Sequence, residues 1–381
     1  MRDVARELPG SLIRSIANAA MGTPGLIPLW FGESDLPTAP VIVEAARESL
    51  LRGETRYGPN LGLPELREGL DRYQRRLFAT SAGFGNIAVT SSGLNALLLT
   101  LSALVDPGDE VIVPVPTWPN LLAIPKVLSA TVREVPLRLS NARFDLPVDD
   151  ILAACTERTR VVLINSPQNP TGWRMPPQDM ARLVEELDRR GIWLLADEVY
   201  SRILPEGVAP ASFLEHFDER RRIVVVNSYS KTWSMTGWRL GWITAPAELV
   251  QAFERLIEFN TSCAPDFVQR GGLAALGEEG ETFVAMQRAR LEAARLAAIE
   301  VLGSDPRIEL PEIGGAFYLF PRIEGLTDGV ALARKAVELG VGIAPGEGFG
   351  EEGRGHLRLC FARDPAEIRT AMERLLEALK A

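Results

Sequence analysis

Cysteine and histidine are scarce in this chain of 381 residues, which has three of the first and two of the second. Cys155, Cys263 and Cys360 lie far apart, as do His216 and His356, so neither a zinc-ligand spacing nor a disulfide framework can be drawn. Each thiol is expected to serve as a small buried apolar side chain, and no metal is expected. Long hydrophobic runs are also missing. Nothing approaches the length needed to cross a bilayer, and the opening MRDVARELPGSLIRSIANAA lacks the apolar core of a secretion signal. A cytoplasmic location with no membrane partner is therefore expected. Clustered positive charge is absent as well: 50 Asp+Glu outweigh 41 Lys+Arg, and the two signs interleave in segments such as ELREGLDRYQRR. That excludes the basic face a nucleic-acid partner would need. A Gly-rich fingerprint after a strand is not found either, which removes a nicotinamide dehydrogenase.

Apolar residues supply 46% of the chain, enough for a substantial core. Short β-branched runs alternate with longer helical patterns through the middle: NIAVT, EVIVPV, VREVPL, RVVLIN, IWLLAD, RIVVVN and LGWITA. Between them lie amphipathic stretches such as PPQDMARLVEELDRRG, which opens on proline and stops on glycine. The rhythm predicts an α/β fold with a mostly parallel sheet covered on both faces. From about residue 250 the pattern turns helical, then gives the short strands GAFYLF and HLRLCF and a closing helix, which together describe a smaller α+β lobe. Residues 45–285 are assigned to a large domain, and 1–44 with 286–381 to a small one. The Pro- and Gly-rich segment TPGLIPLWFGESDLPTAP is expected to pack on the carboxy-terminal lobe or on another subunit.

Open α/β sheets bind ligands beyond the carboxyl ends of their strands, so the polar residues that follow each apolar run are the ones to inspect. Ser91, Ser92 and Gly93 follow NIAVT and open a helix, whose free N–H groups and dipole suit a phosphate. Asn169 follows RVVLIN in SPQNPTG. Asp197 ends IWLLAD with Tyr200 shortly after, and Ser228, Ser230 and Lys231 follow RIVVVN. Each alone reads as a cap or a turn. Together they offer a phosphate cradle, a carboxylate, two hydrogen-bonding groups and an amine at neighbouring strand ends. Those are the parts that hold pyridoxal phosphate.

In FGESDL, YGPNLGLPELREGL, NSPQNPTG, DEVYS, SYSKTWSMTGWRLGW and HLRLCFA, the chain resembles the fold-type I pyridoxal-phosphate enzymes of the class I/II aminotransferase family. The resemblance runs over nearly the whole chain and is most specific around Lys231, with Gly237, Arg239 and Gly241 close behind. It implies that Lys231 binds the aldehyde of pyridoxal 5'-phosphate and later moves a proton at the substrate α carbon. Asp197 would face the pyridine nitrogen, and Asn169 and Tyr200 the phenolic oxygen. Ser92, Gly93, Leu94, Ser228, Ser230 and Arg239 would surround the phosphate. Trp118 matches the residue stacked on the ring. Tyr57 matches one that reaches the neighbouring subunit's phosphate, so a homodimer with shared active sites is implied. Arg358 would fork onto the substrate α-carboxylate, with the Gly32 backbone and Asn169 close to it.

The implied reaction passes an amino group from an L-amino acid to a 2-oxo acid through pyridoxamine phosphate. An elimination enzyme of the same fold, such as a carbon–sulfur β-lyase, would keep every cofactor residue. A cofactor-binding regulator would carry a DNA-binding module ahead of the fold, for which the sequence before it leaves no room. Two departures stand out. Ser34 replaces the proline common after the Glu of FGE, and Leu94 stands where one aspartate-using subgroup has lysine, although Trp118 is a frequent aspartate-aminotransferase residue.

Overall fold

The computed structural model describes residues 1–380. The apolar runs form one seven-stranded sheet: β1 (Ile87–Thr90), β2 (Glu110–Val115), β3 (Thr131–Pro136), β4 (Thr159–Asn165), β5 (Trp193–Asp197), β6 (Ile223–Ser228) and β7 (Gly241–Thr244). Their order across the sheet is β1-β7-β6-β5-β4-β2-β3. β7 runs antiparallel to β1 and β6, and every other pair is parallel. All residues of β1, β2, β6 and β7 are buried, as β-branched strands covered by helices on both faces must be. β3 lies at an edge and exposes Arg133 and Glu134, charges that discourage further pairing.

Helices enter and leave where local chemistry allows. The helix Pro177–Arg190 starts on a proline whose missing N–H costs nothing there, and it stops at Gly191, which takes a left-handed φ of 70°. Its Met180, Leu183, Val184 and Leu187 fall on one stripe and are buried against the sheet, at about 1.5–3 kcal/mol for each large side chain.

The second lobe is reached through the helix Glu278–Leu302, which is continuous across the expected domain border at 285/286. A small antiparallel sheet follows in the order β8 (Tyr318–Leu319), β10 (Leu357–Cys360), β9 (Ala344–Pro345). The amino-terminal segment packs on this lobe: Ile27–Pro28 pairs in parallel with Val341–Gly342, and the Cys360 N–H donates to Leu29 O at 3.0 Å. One apolar cluster joins the lobes, with Ile13 and Ile16 from the amino terminus, Leu357 and Leu359 from β10, and Ile164 and Ala196 from β4 and β5. That seam holds the strand ends of the large sheet against the small lobe. Among the cysteines only Cys360 is fully buried. Cys155 and Cys263 are half-buried, contrary to expectation, because the first caps a short surface helix and the second sits in the turn after another. Among the described residues no helix is long and apolar enough to cross a membrane.

Candidate active site

The sheet register gathers the candidate residues. Asn165 pairs with Asp197 at the ends of β4 and β5, Asp197 with Val226 on β6, and Gly241 with both Ser228 and Thr90. Two turns of chain beyond these ends, Ser92–Gly93 and Ser228–Lys231, are therefore neighbours in space. Ser92 has φ 148° and ψ 164°, a backbone region that normally demands glycine, and its Oγ accepts the Asn95 N–H at 3.0 Å. Gly93 begins the helix Gly93–Leu104, whose first-turn N–H groups have no intrahelical acceptor. A Cβ on Gly93 would stand 3.1 Å from Ser228 Cβ, and one on Gly241 would stand 2.6 Å from the Gly93 nitrogen. Only glycine lets the three segments meet. Ser228 Oγ lies 2.9 Å from Ser230 Oγ and accepts the Ser230 N–H at 3.1 Å. The start of a helix held by glycine contacts beside the hydroxyls of Ser228 and Ser230 fits a phosphate group.

Lys231 rises from the single helical turn Tyr229–Thr232. Its Nζ donates to Gly32 O at 2.5 Å and lies 5.8 Å and 5.9 Å from the ring centres of Tyr200 and Phe317. Burial lowers its pKa to about 8; the Arg358 and Arg239 charges push the same way, while Cys360 and Glu33 oppose. An amine so placed is far more often neutral near pH 7 than a free lysine.

Asp197 is buried, and burial lifts its carboxyl to about 7 against the weaker pull of the Val199 amide and of Lys231. Its one hydrogen bond, from Val199 N–H, is long at 3.4 Å. The carboxyl is therefore open to a cationic or proton-bearing partner. Next to it, Glu198 is also buried and also lifted to about 7, yet Ser212 Oγ lies 2.5 Å from one of its oxygens and Phe213 N–H donates to the other at 2.8 Å.

On the opposite wall, Arg358 is buried on β10 between the rings of Tyr318 and Phe349, its guanidinium carbon 4.7 Å and 5.0 Å from their centres. It donates to Asn169 Oδ1 at 3.3 Å and to Trp30 O, while its Nε is buried with no partner. An unsatisfied donor on a planar fork is what an incoming carboxylate needs. Asn169 is itself fixed by its N–H donating to Asn165 Oδ1 at 2.9 Å. Tyr200 Oη lies 2.7 Å from Tyr318 Oη.

The structure thus brings Ser92, Gly93, Asn169, Asp197, Tyr200, Ser228, Ser230, Lys231, Gly32 and Arg358 into one region. Four further candidates are exposed or half-buried. Arg239 is exposed, with φ 54°, and its guanidinium donates to Thr236 O at 2.7 Å rather than to the serines, because that carbonyl lies within reach in the preceding turn. Leu94 is 37% exposed, and Trp118 is half-buried just ahead of the helix Pro119–Val127. Tyr57 is 89% exposed and does not enter this chain's own site. Tyr318, Phe317 and the Trp30 carbonyl escape a reading of the sequence. GAFYLF reads only as a short apolar strand, and a backbone carbonyl has no sequence signal. Helix-start amides, a desolvated amine, an open carboxyl and a guanidinium fork within one seam suit chemistry on an amino acid.

Comparison with known proteins agrees. The family model described as aminotransferase class I and II matches residues 25–375. An aspartate aminotransferase of Pyrococcus abyssi is 32% identical over 375 residues, covering 97% of this chain and 96% of that protein. Aromatic-amino-acid aminotransferase 2 of Thermococcus litoralis is 31% identical over 375 residues, with 97% and 96% covered. The solved structure of the Thermus thermophilus aspartate aminotransferase with maleate superposes with a TM-score of 0.92 at 30% identity, covering 99% of each chain. A match this long in both sequence and fold decides the matter: the chain is an aminotransferase and belongs to the class I and II family.

Proposed function

We propose that the site holds pyridoxal 5'-phosphate and moves an amino group from an L-amino acid to a 2-oxo acid. When bound, that cofactor supplies an aldehyde that condenses with amines and a ring that accepts the electrons left on an α carbon. The residues present fit it: a helix start beside two serine hydroxyls for a phosphate, an orphaned buried guanidinium nitrogen for a carboxylate, and a buried carboxyl with one long hydrogen bond. The observation that carries the reading is the last of these, set beside the desolvated amine of Lys231.

Lys231 would hold the cofactor through its aldehyde and would carry the proton to and from the substrate α carbon. Asp197 would favour a proton on the ring nitrogen, since an adjacent negative charge favours the cation. Tyr200 and Asn169 donate to the phenolic oxygen. The amides of Ser92, Gly93 and Leu94 take the phosphate with Ser228, Ser230 and Arg239. Trp118 covers the ring. Arg358 orients the substrate carboxylate, with the Gly32 backbone beside it. Exposed Tyr57 serves a second copy of the chain, so the working unit is a homodimer; Phe259, 90% exposed, offers it further apolar surface. Residues 45–285 form the cofactor-binding domain of this reading, and 1–44 with 286–381 the smaller one. Relatives named for aspartate and for aromatic amino acids match almost equally, at 32% and 31%, so the substrate class is amino acids and 2-oxo acids in general.

The lysines of the chain are Lys126, Lys231, Lys335 and Lys380. Borohydride reduction of the cofactor-loaded protein, followed by peptide mapping, is expected to place the label on Lys231. Label on any other lysine overturns the assignment. The variant Lys231→Ala is expected to lose turnover while retaining cofactor noncovalently.

A further inference from the structure

Building on that cofactor reading, we propose that Tyr318 is a positioning residue that couples the two halves of the site. Its hydroxyl aims the Tyr200 hydroxyl at the cofactor's phenolic oxygen, and its ring braces Arg358 for the substrate carboxylate.

Tyr318 is fully buried on β8 and stands opposite Cys360 on β10. Arg358, two residues from Cys360, shares that face of the strand, because side chains alternate. The guanidinium carbon lies 4.7 Å from the Tyr318 ring centre, a cation–π distance. The same ring meets Tyr200 edge-on, with centres 5.6 Å apart at 77°. Its hydroxyl occupies the space a side chain on residue 32 would need: a Cβ there would come within 1.8 Å of Tyr318 Oη. Gly32 is therefore glycine for Tyr318's sake. Held on three sides, the hydroxyl has Tyr200 Oη as its hydrogen-bond partner at 2.7 Å.

Proton counting then sets the direction of that bond. A phenol has one proton to give. If Tyr200 gives its proton to the cofactor oxygen, the 2.7 Å contact must be filled by the proton of Tyr318. Accepting that bond polarises Tyr200 and strengthens its own donation, as chained hydrogen bonds do. The strengthened donor favours the ionised cofactor oxygen. Removing the Tyr318 hydroxyl weakens it.

Two variants of the cofactor-loaded enzyme separate the roles. Tyr318→Phe keeps the ring and loses the hydroxyl. It is expected to raise the pH midpoint of the cofactor's visible absorption band by about half a unit, with KM for the amino acid changed less than about twofold. Tyr318→Leu also loses the ring, and its KM is expected to rise roughly 3- to 30-fold above that of Tyr318→Phe. Tyr318→Met repeats that measurement with a side chain that fills more of the space. An unchanged midpoint in Tyr318→Phe overturns the hydroxyl role. Equal KM values in the Phe, Leu and Met variants overturn the ring role. Wild-type protein that shows no visible band would overturn the cofactor reading itself, a result distinct from both.

Discussion

Asp197 and Glu198 are adjacent at the end of one strand, both buried and both lifted to about 7, and yet the protein treats them in opposite ways. The pleat sends them to opposite sides. Glu198 meets the turn that starts the Phe213–His216 helix, where Ser212 Oγ at 2.5 Å and the Phe213 N–H at 2.8 Å satisfy its oxygens. Asp197 meets the seam between the lobes, where only a 3.4 Å bond from Val199 reaches it. Glu198 has a close partner on each oxygen, whereas Asp197 has one long bond in all, which leaves its carboxyl able to take a ligand as a further partner. Burial and charge alone do not separate the structural carboxyl from the functional one. Satisfaction of their oxygens does.

The sharpest way to break this contrast is to neutralise each carboxyl in turn. Asp197→Asn is expected to lower kcat about 10²- to 10³-fold, because the charge proposed to face the ring nitrogen is gone, while the apo-protein melts no lower than wild type. Stopped-flow or steady-state turnover together with calorimetry would check both halves. A destabilised apo-protein with intact turnover would reverse the roles assigned to the pair. Glu198→Ala should do the opposite. It strands Ser212 and the Phe213 amide, costing about 2–3 kcal/mol in denaturant unfolding, and changes kcat less than about threefold once folded protein is counted. Glu198→Gln, which keeps a carbonyl oxygen for the amide, should recover most of that loss.

A smaller effect follows from pH. Both native pKa values stand above their unfolded values, so the folded state binds protons more tightly. This contribution is complete below about pH 4 and is lost as pH rises through about 7. Apo-protein stability is therefore expected to fall over that window, and saturating cofactor should abolish the Asp197 share but leave that of Glu198. Thermal melts with and without cofactor would show it. Smaller still, covalent capture of pyridoxal 5'-phosphate by the apo-protein should quicken about fivefold between pH 7 and pH 8, as Lys231, with its pKa near 8, loses its proton. A rate flat over that interval would mean that the amine is not desolvated.

Much of the site is legible from residue types because strand ends are legible. An apolar β-branched run stops where a polar residue follows, and in a parallel sheet all such stops lie on one edge, which is how Asp197, Ser228, Lys231 and Asn169 stand out. The glycines also signal themselves, since Gly93 and Gly241 sit where a Cβ would strike backbone or side chain. The opposite wall is much less legible. Arg358 shows only as a charge in an apolar strand, and Tyr318 shows only as one aromatic among several. Its partners Tyr200, Gly32 and Arg358 lie 118, 286 and 40 residues away in the chain. The partial burial of Cys155 and Cys263 depends on the ends of surface helices, where composition is a poor guide.

The order of apolar and polar residues along this chain was enough to determine an α/β sheet with an amine and a carboxyl at neighbouring strand ends, because strand period and strand termination are local properties. Which of two adjacent buried carboxyls is left open, which tyrosine hydroxyl meets Tyr200 and which carbonyl holds Arg358 were decided only when the small lobe closed on the sheet. Hydrogen-bond satisfaction belongs to pairs of atoms brought together by folding, and no single position in the sequence carries it.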